Sequence, residues 1–217
     1  MLKNIIKVLF ANIIVMLTSI INTLVIPKIM SIDGYAEYQT FMLFISYVGL
    51  MMFGFHGGLF IKYGGKRQED IDIPQFKSEM SLIIISQSIM SIILCIFSFA
   101  TKNALIFATS LCILTSNFVS CYKYLYQAWD KFTQYSVINV FQSIGFSGVV
   151  VILGIFCKPV DAKKVIITYI LINAICFVIV LREYIRGCKG IKRNPLISIE
   201  NRNILNLGIL LMLSGAA

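Results

Sequence analysis

Met80–Ala100 reads MSLIIISQSIMSIILCIFSFA, a run with no charged residue and only serines, one glutamine and one cysteine among apolar side chains. As a helix rising 1.5 Å per residue it reaches about 30 Å, the thickness of a bilayer's hydrocarbon core. Five further runs of similar length flank it: Ile5–Pro27, Gln39–Ile61, Ala104–Tyr126, Tyr135–Phe156 and Val165–Leu181. The chain therefore reads as an all-α, polytopic transmembrane helix bundle. Residues 1–181 form six full spans, 182–203 a basic linker, and 204–217 (ILNLGILLMLSGAA) the start of a seventh span that the sequence leaves truncated.

Charge sets the expected orientation. Alternating the loops between two sides puts Lys28, Lys102, Lys158, Lys163 and Lys164 on one side and the other 14 of the 19 Lys and Arg on the opposite side. Basic residues are retained in the cytoplasm, which predicts a cytoplasmic N-terminus in a multi-pass protein of the inner (plasma) membrane. Hydrophobic residues make up 58% and charged residues 13%, a balance foreign to a soluble domain of this size. The net charge of +9 is scattered over short loops, so it argues for contact with membrane lipids rather than with nucleic acid. Four of the six cysteines fall inside spans, and no CxxC pair suggests a metal site or a disulfide framework. Ile5–Pro27 exceeds a signal-peptide core and lacks a cleavage motif, so it is read as the first membrane helix.

Polar groups are costly in lipid, so their positions carry most of the remaining information. Asn12, Ser19, Asn22 and Thr23 share one face of the first span, and Ser46, Gly49 and His56 one face of the second. Ser81, Ser88, Ser91, Cys95 and Ser98 form a ridge of small residues suited to close helix packing. Ser110, Asn117, Ser120 and Tyr124 align on the fourth span, Tyr135, Asn139 and Gln142 on the fifth, and Tyr169, Asn173 and Cys176 on the sixth. The amides at Asn12, Asn22, Asn117, Asn139 and Gln142 fit either interhelical hydrogen bonds or the wall of a hydrophilic groove. His56, the single histidine, is either a local hydrogen-bonding residue or a titrating group. Lys62 and Lys123 sit at span ends on the basic side, where they either snorkel or meet an anionic headgroup. Tyr122, Tyr124, Tyr126 and Trp129 read as an interfacial aromatic belt there. No catalytic constellation is visible: the acidic residues fall in loops and at span ends, and Gly64-Gly65-Lys66 lacks the spacing of a P-loop. No enzyme activity, cofactor or metal is expected.

Asp33–Lys66 reads DGYAEYQTFMLFISYVGLMMFGFHGGLFIKYGGK. Its Asp33-Gly34-Tyr35 opening, its Gly54-Phe55-x-x-Gly58 stretch and its Lys62-Tyr63-Gly64-Gly65-Lys66 exit resemble the polysaccharide biosynthesis proteins. These are the O-antigen (Wzx-type) flippase family of the multidrug/oligosaccharidyl-lipid/polysaccharide exporter superfamily. Such proteins often carry an acidic residue just before the second glycine, where this chain has Gly57.

The resemblance implies a two-lobed transporter, of which these residues would be the first lobe and the opening of the second. The implied cargo is an undecaprenyl-diphosphate-linked oligosaccharide, a precursor of O-antigen or capsule, moved from inner to outer leaflet. Asn12, Asn22, His56, Asn117, Asn139 and Gln142 would then be candidates for the substrate groove, and Lys62 and Lys123 for attracting the diphosphate. A polysaccharide polymerase and glycosyltransferases would be neighbours in the same process. Two other readings stand beside this one. A drug/cation antiporter of the superfamily calls for a carboxylate buried at mid-depth, and a non-transporting scaffold of a glycan-assembly complex predicts a protein complete near residue 217.

Overall fold

A computed structural model describes the backbone of residues 2–66, 68–196 and 198–214, and the side chains of these except 2–5 and 68. Lys3 and Arg67 of the basic set, and residues 215–217 of the C-terminal apolar run, lie outside the described side chains. Eight α-helices follow in order: α1 (Leu2–Ile29), α2 (Ile32–Val48), α3 (Phe55–Tyr63), α4 (Ile73–Thr101), α5 (Ala104–Ala128), α6 (Phe132–Phe156), α7 (Ala162–Gly187) and α8 (Ile199–Leu213). No strand occurs among the described residues. Among the described residues five helices are long and apolar enough to cross a membrane on their own, and the bent pair α2–α3 makes a sixth if counted as one span.

The second span differs from the single helix expected over Gln39–Ile61. A 3₁₀ turn at Gly49–Met52 interrupts it, and α2 and α3 meet at 52°. Phe53 and Gly54 adopt left-handed φ values of 49° and 70°. Glycine is required at position 54 on a second count, since a Cβ there would lie 2.0 Å from the carbonyl oxygen of Gly208 on α8. Unwinding frees carbonyls that lipid cannot satisfy. Asn117 on α5 donates to the Val48 carbonyl at 3.0 Å, and Gln87 on α4 donates to the Met51 carbonyl at 3.1 Å. Asn117 also donates to Gln87 Oε1 at 2.6 Å, so one buried amide pair closes the break.

Four boundaries also shift. The second span begins at Ile32 rather than Gln39, where the Ser31 hydroxyl accepts from the Gly34 N–H. The third span begins at Ile73 rather than Met80, because Asp72 caps it by accepting from the Gln75 N–H and Pro74 fits the first turn. α7 runs on through Gly187, six residues into the segment read as linker, since charged side chains do not by themselves end a helix. α8 begins at Ile199, where the Ser198 hydroxyl accepts from the Asn201 N–H.

Contacts between loops confirm the alternation. Lys7 Nζ donates to Thr133 Oγ1 at 3.1 Å, Gly65 N–H to the Ala128 carbonyl at 3.3 Å, and Asn194 N–H to the Pro74 carbonyl at 3.1 Å. These gather the N-terminus, the α3–α4 and α5–α6 connections and the segment before α8 on one side, here the basic side. Val160 N–H donates to the Ile29 carbonyl at 2.8 Å and joins two connections on the sparse side. α5 lies at the centre and touches α2, α3, α4, α6 and α7, while α1 packs on α6 and α8 on α3. Ser91 Oγ donates to the Ser110 carbonyl at 2.7 Å, so at Ser91 the serine ridge of α4 packs on α5. Only 11% of the most apolar window of α1 is buried, and Leu9, Phe10, Met16 and Leu24 turn outward as a lipid-facing helix requires.

Asn117→Leu removes a donor that two buried acceptors use. It is expected to lower unfolding free energy by about 1–3 kcal/mol in detergent. Gly148→Ala, where a Cβ meets open space, is expected to stay within about 0.5 kcal/mol of the parent. Thermal melts of the two purified variants against the parent check both values.

Candidate functional site

A cavity of about 590 Å³ lies among α1, α2, α5, α6 and α7. Its wall runs from Lys123, near the basic end of α5, to Ile26 and Tyr35 near the sparse-side ends of α1 and α2. Every helix that lines it brings hydrogen-bonding side chains. α1 supplies Thr18, Ser19, Asn22 and Thr23, and α2 supplies Tyr35, Tyr38 and Gln39. α5 supplies Ser116, Ser120 and Lys123, α6 supplies Gln142 and Ser143, and α7 supplies Tyr169 and Asn173. The helical periodicity read from the sequence put half of these on shared faces, namely Ser19, Asn22, Thr23, Ser120, Gln142, Tyr169 and Asn173.

A side-chain relay crosses the wall. Lys123 Nζ donates to Gln142 Oε1, Gln142 Nε2 donates to Asn173 Oδ1 at 3.0 Å, and Ser116 Oγ reaches the same oxygen at 3.4 Å. The Asn173 amide nitrogen is held by the Tyr169 carbonyl at 2.9 Å. On α2, Gln39 Nε2 donates to the Tyr35 hydroxyl at 2.5 Å. The salt bridges among the described residues engage Lys62 and Lys131 but not Lys123, whose half-buried ammonium faces amide oxygen only. A charge in that setting is incompletely compensated and favours an anion in the cavity. Asn22 adds an open acceptor, its Oδ1 being buried with no protein partner.

The groove candidates separate into two groups. Asn22, Gln142 and Lys123 line the cavity. Asn12 is exposed on α1 and Asn139 is half-buried on α6, and both lie outside the wall. Asn117 closes the α2–α3 break instead. His56 sits on α3 with its ring 4.5 Å from that of Tyr124, its Nδ1 buried and without a protein partner, away from the cavity.

Lys62 is occupied elsewhere. Its ammonium lies 2.5 Å from Glu79 Oε1 and 2.9 Å from Glu200 Oε2. Glu79 corrects the expectation that acidic residues stay in loops and at span ends, for it lies inside α4 and is fully buried. It accepts from the Tyr63 hydroxyl at 2.7 Å and from Gln75 Nε2 at 3.0 Å as well as from Lys62. The aromatic belt is corrected too. Tyr122 and Tyr126 are buried in the core beside Phe118 and Leu125, and Tyr126 donates to Glu183 on α7. The two candidate lysines therefore differ: Lys62 is partnered by carboxylates and Lys123 by an amide oxygen. Sequence reading missed Glu79, Gln87 and Gln39; the signal for Gln87 was present, as the lone amide in an otherwise apolar run.

Among the described residues no group of three or more His, Cys, Asp or Glu is placed to hold a metal ion. Comparison with protein-family models, curated proteins and solved structures finds no match to this chain.

If the cavity is hydrated, Ser120→Cys should react with a charged methanethiosulfonate reagent at least about tenfold faster than native Cys112, which is fully buried on the same helix. Mass spectrometry of labelled peptides reads both sites in one sample. Equal labelling of the two would show that the cavity is closed to water.

Proposed function

We propose that this protein translocates a lipid-linked oligosaccharide, carried on a polyprenyl diphosphate, from the inner to the outer leaflet of the plasma membrane. The observation that carries the reading is a cavity with hydrogen-bonding side chains on five helices and one cation free of carboxylates in its wall. An unpaired hydroxyl taken from water into alkane costs about 4–8 kcal/mol, so a sugar bearing several meets a barrier of tens. Hydroxyls and amides on five helices offer replacement hydrogen bonds and lower that barrier without any covalent step. Lys123, Gln142 and Asn173 form the part of the wall suited to a diphosphate, with Lys123 as a point charge and the amides as orienting groups. The prenyl chain stays in lipid beside the bundle.

In this reading the basic side is cytoplasmic and the cargo enters where Lys123 lies. Release toward the sparse side follows by alternating access, a rocking of the helix bundle about a fixed site. Enzymes that assemble the glycan would supply the cargo, and a polymerase would take it up outside. The resemblance of Asp33–Lys66 to polysaccharide exporters points the same way. A scaffold gives no reason for a cavity of about 590 Å³ with polar walls. A cation antiporter finds its buried carboxylate in Glu79, but Lys62 and Tyr63 already occupy that group.

Two measurements test the reading. In proteoliposomes loaded with a fluorescent diphosphate-linked oligosaccharide, Lys123→Met and Gln142→Leu are each expected to slow flipping by about tenfold, the scale of one lost charge-assisted hydrogen bond. Asn12→Leu should leave the rate unchanged. Flipping no faster than in empty vesicles, with folded protein present, would sink the proposal. For orientation, a reporter that is active only in the periplasm should work when fused after Met30 and fail when fused after Lys189.

A further inference from the structure

α8 is seated on the rest of the bundle in a way that its short apolar sequence does not explain. Its backbone crosses that of α3 without side chains between them: a Cβ on Gly208 would lie 2.4 Å from the Gly54 carbonyl oxygen, and one on Gly58 would lie 2.4 Å from that of Ile204. Its first turn is gripped by buried polar groups. Asn201 accepts from Gln75 at 2.9 Å and donates to Ser78 Oγ at 3.1 Å and to the Leu196 carbonyl at 2.7 Å. Glu200, beside it, takes Lys62, which also holds the buried Glu79. These contacts reach α3 and α4 together, because Lys62 and Tyr63 end α3 while Gln75, Ser78 and Glu79 begin α4.

The upper end of α3 is the left-handed pair Phe53–Gly54, and above the 3₁₀ turn stands α2. α2 carries Tyr35, Tyr38, Gln39 and Met42 into the cavity wall. A displacement of α8 at Gly208 therefore acts directly on Gly54, the residue at which the second span bends. The turn is not a continuous helix that would absorb the change by stretching. It is a short irregular element with left-handed φ at Phe53 and Gly54, and its Val48 and Met51 carbonyls are bonded to side chains of α5 and α4.

We propose that α8 is a docked switch, and that the Gly49–Gly54 turn transmits its seating on α3 to the α2 wall of the cavity. With α8 seated, Lys62 is shared between Glu79 and Glu200 and the turn is fixed. With α8 unseated, Lys62 keeps Glu79, Gly54 loses the backbone that covers it, and α2 gains freedom to tilt. The coupling does not depend on what the cavity carries.

Hydrogen exchange of the purified chain in micelles tests this. Asn201→Ala removes the buried grip. It is expected to raise amide exchange about fivefold in α8 and in residues 49–63, and about twofold in α2, with α6 unchanged. Glu200→Gln weakens a half-exposed ion pair and is expected to give the same pattern at about twofold in α8 and residues 49–63. If Asn201→Ala accelerates exchange everywhere, the milder Glu200→Gln variant decides. Faster exchange confined to α8 would overturn the coupling, and unchanged α8 in both variants would overturn the switch.

Discussion

A backbone that unwinds inside a membrane must find its hydrogen bonds within the protein, and here that requirement falls on one place. Where α2 gives way to the turn at Gly49–Met52, the carbonyls of Val48 and Met51 accept from side chains of α5 and α4. Each would cost several kcal/mol if left bare in lipid. Asn117 and Gln87 meet them and also bond to each other, so α4 and α5 are tied to the break by the same two amides. The rest of the arrangement follows from that closure. The 52° bend directs α3 away from the line of α2, which brings Gly54 under Gly208 and Lys62 within reach of Glu79. Without the bend, the second span would pass α8 with no backbone contact, and Glu79 would be a buried charge with no cation.

The two lysines near span ends show how the same residue type takes opposite roles. Lys62 and Lys123 look alike in sequence: each follows an apolar run on the basic side and neighbours a tyrosine. Geometry separates them. Lys62 meets two carboxylates and anchors three elements, so its charge is structural. Lys123 meets an amide oxygen at the wall of a polar cavity, so its charge is directed at whatever fills that space. The distinction depends on Glu79, whose position was hidden because the third span starts earlier than hydropathy indicates.

What could be read from sequence was whatever periodicity and charge control. The spans, their sidedness and the polar faces of α1, α5, α6 and α7 all follow from spacing. The packing divided those faces: Asn22, Gln142, Ser120 and Asn173 reached one cavity, while Asn12, Asn117 and Asn139 did not. What could not be read depended on contacts between distant segments. The break in the second span has a glycine at each end, yet glycine pairs also serve plain helix packing, and only the approach of Gly208 fixes a left-handed Gly54. Glu79 lies just after a stretch rich in charge and proline, and a capped helix start at Asp72 looks locally like a loop. The tyrosines at 122 and 126 fit an interfacial belt by composition, but they turn inward because α7 covers them through Tyr184 and Glu183.

The amides sort by what they bond to, and that sorting bears on function. Asn117 and Gln87 hold main-chain carbonyls at the break, and Asn201 holds the Leu196 carbonyl along with side chains of α4. Removing any of them would leave a backbone group unsatisfied in a dry interior. Gln142 is different: its partners are the side chains of Lys123 and Asn173, both on the cavity wall. Side-chain partners can be exchanged for a ligand's oxygens without exposing backbone, and the ammonium can follow. A wall that holds a polar cargo briefly and then releases it needs amides of this second kind. They occur here beside Lys123, the lysine of the cavity wall, which no carboxylate holds among the described residues, while the first kind holds the bent span that forms part of the same wall.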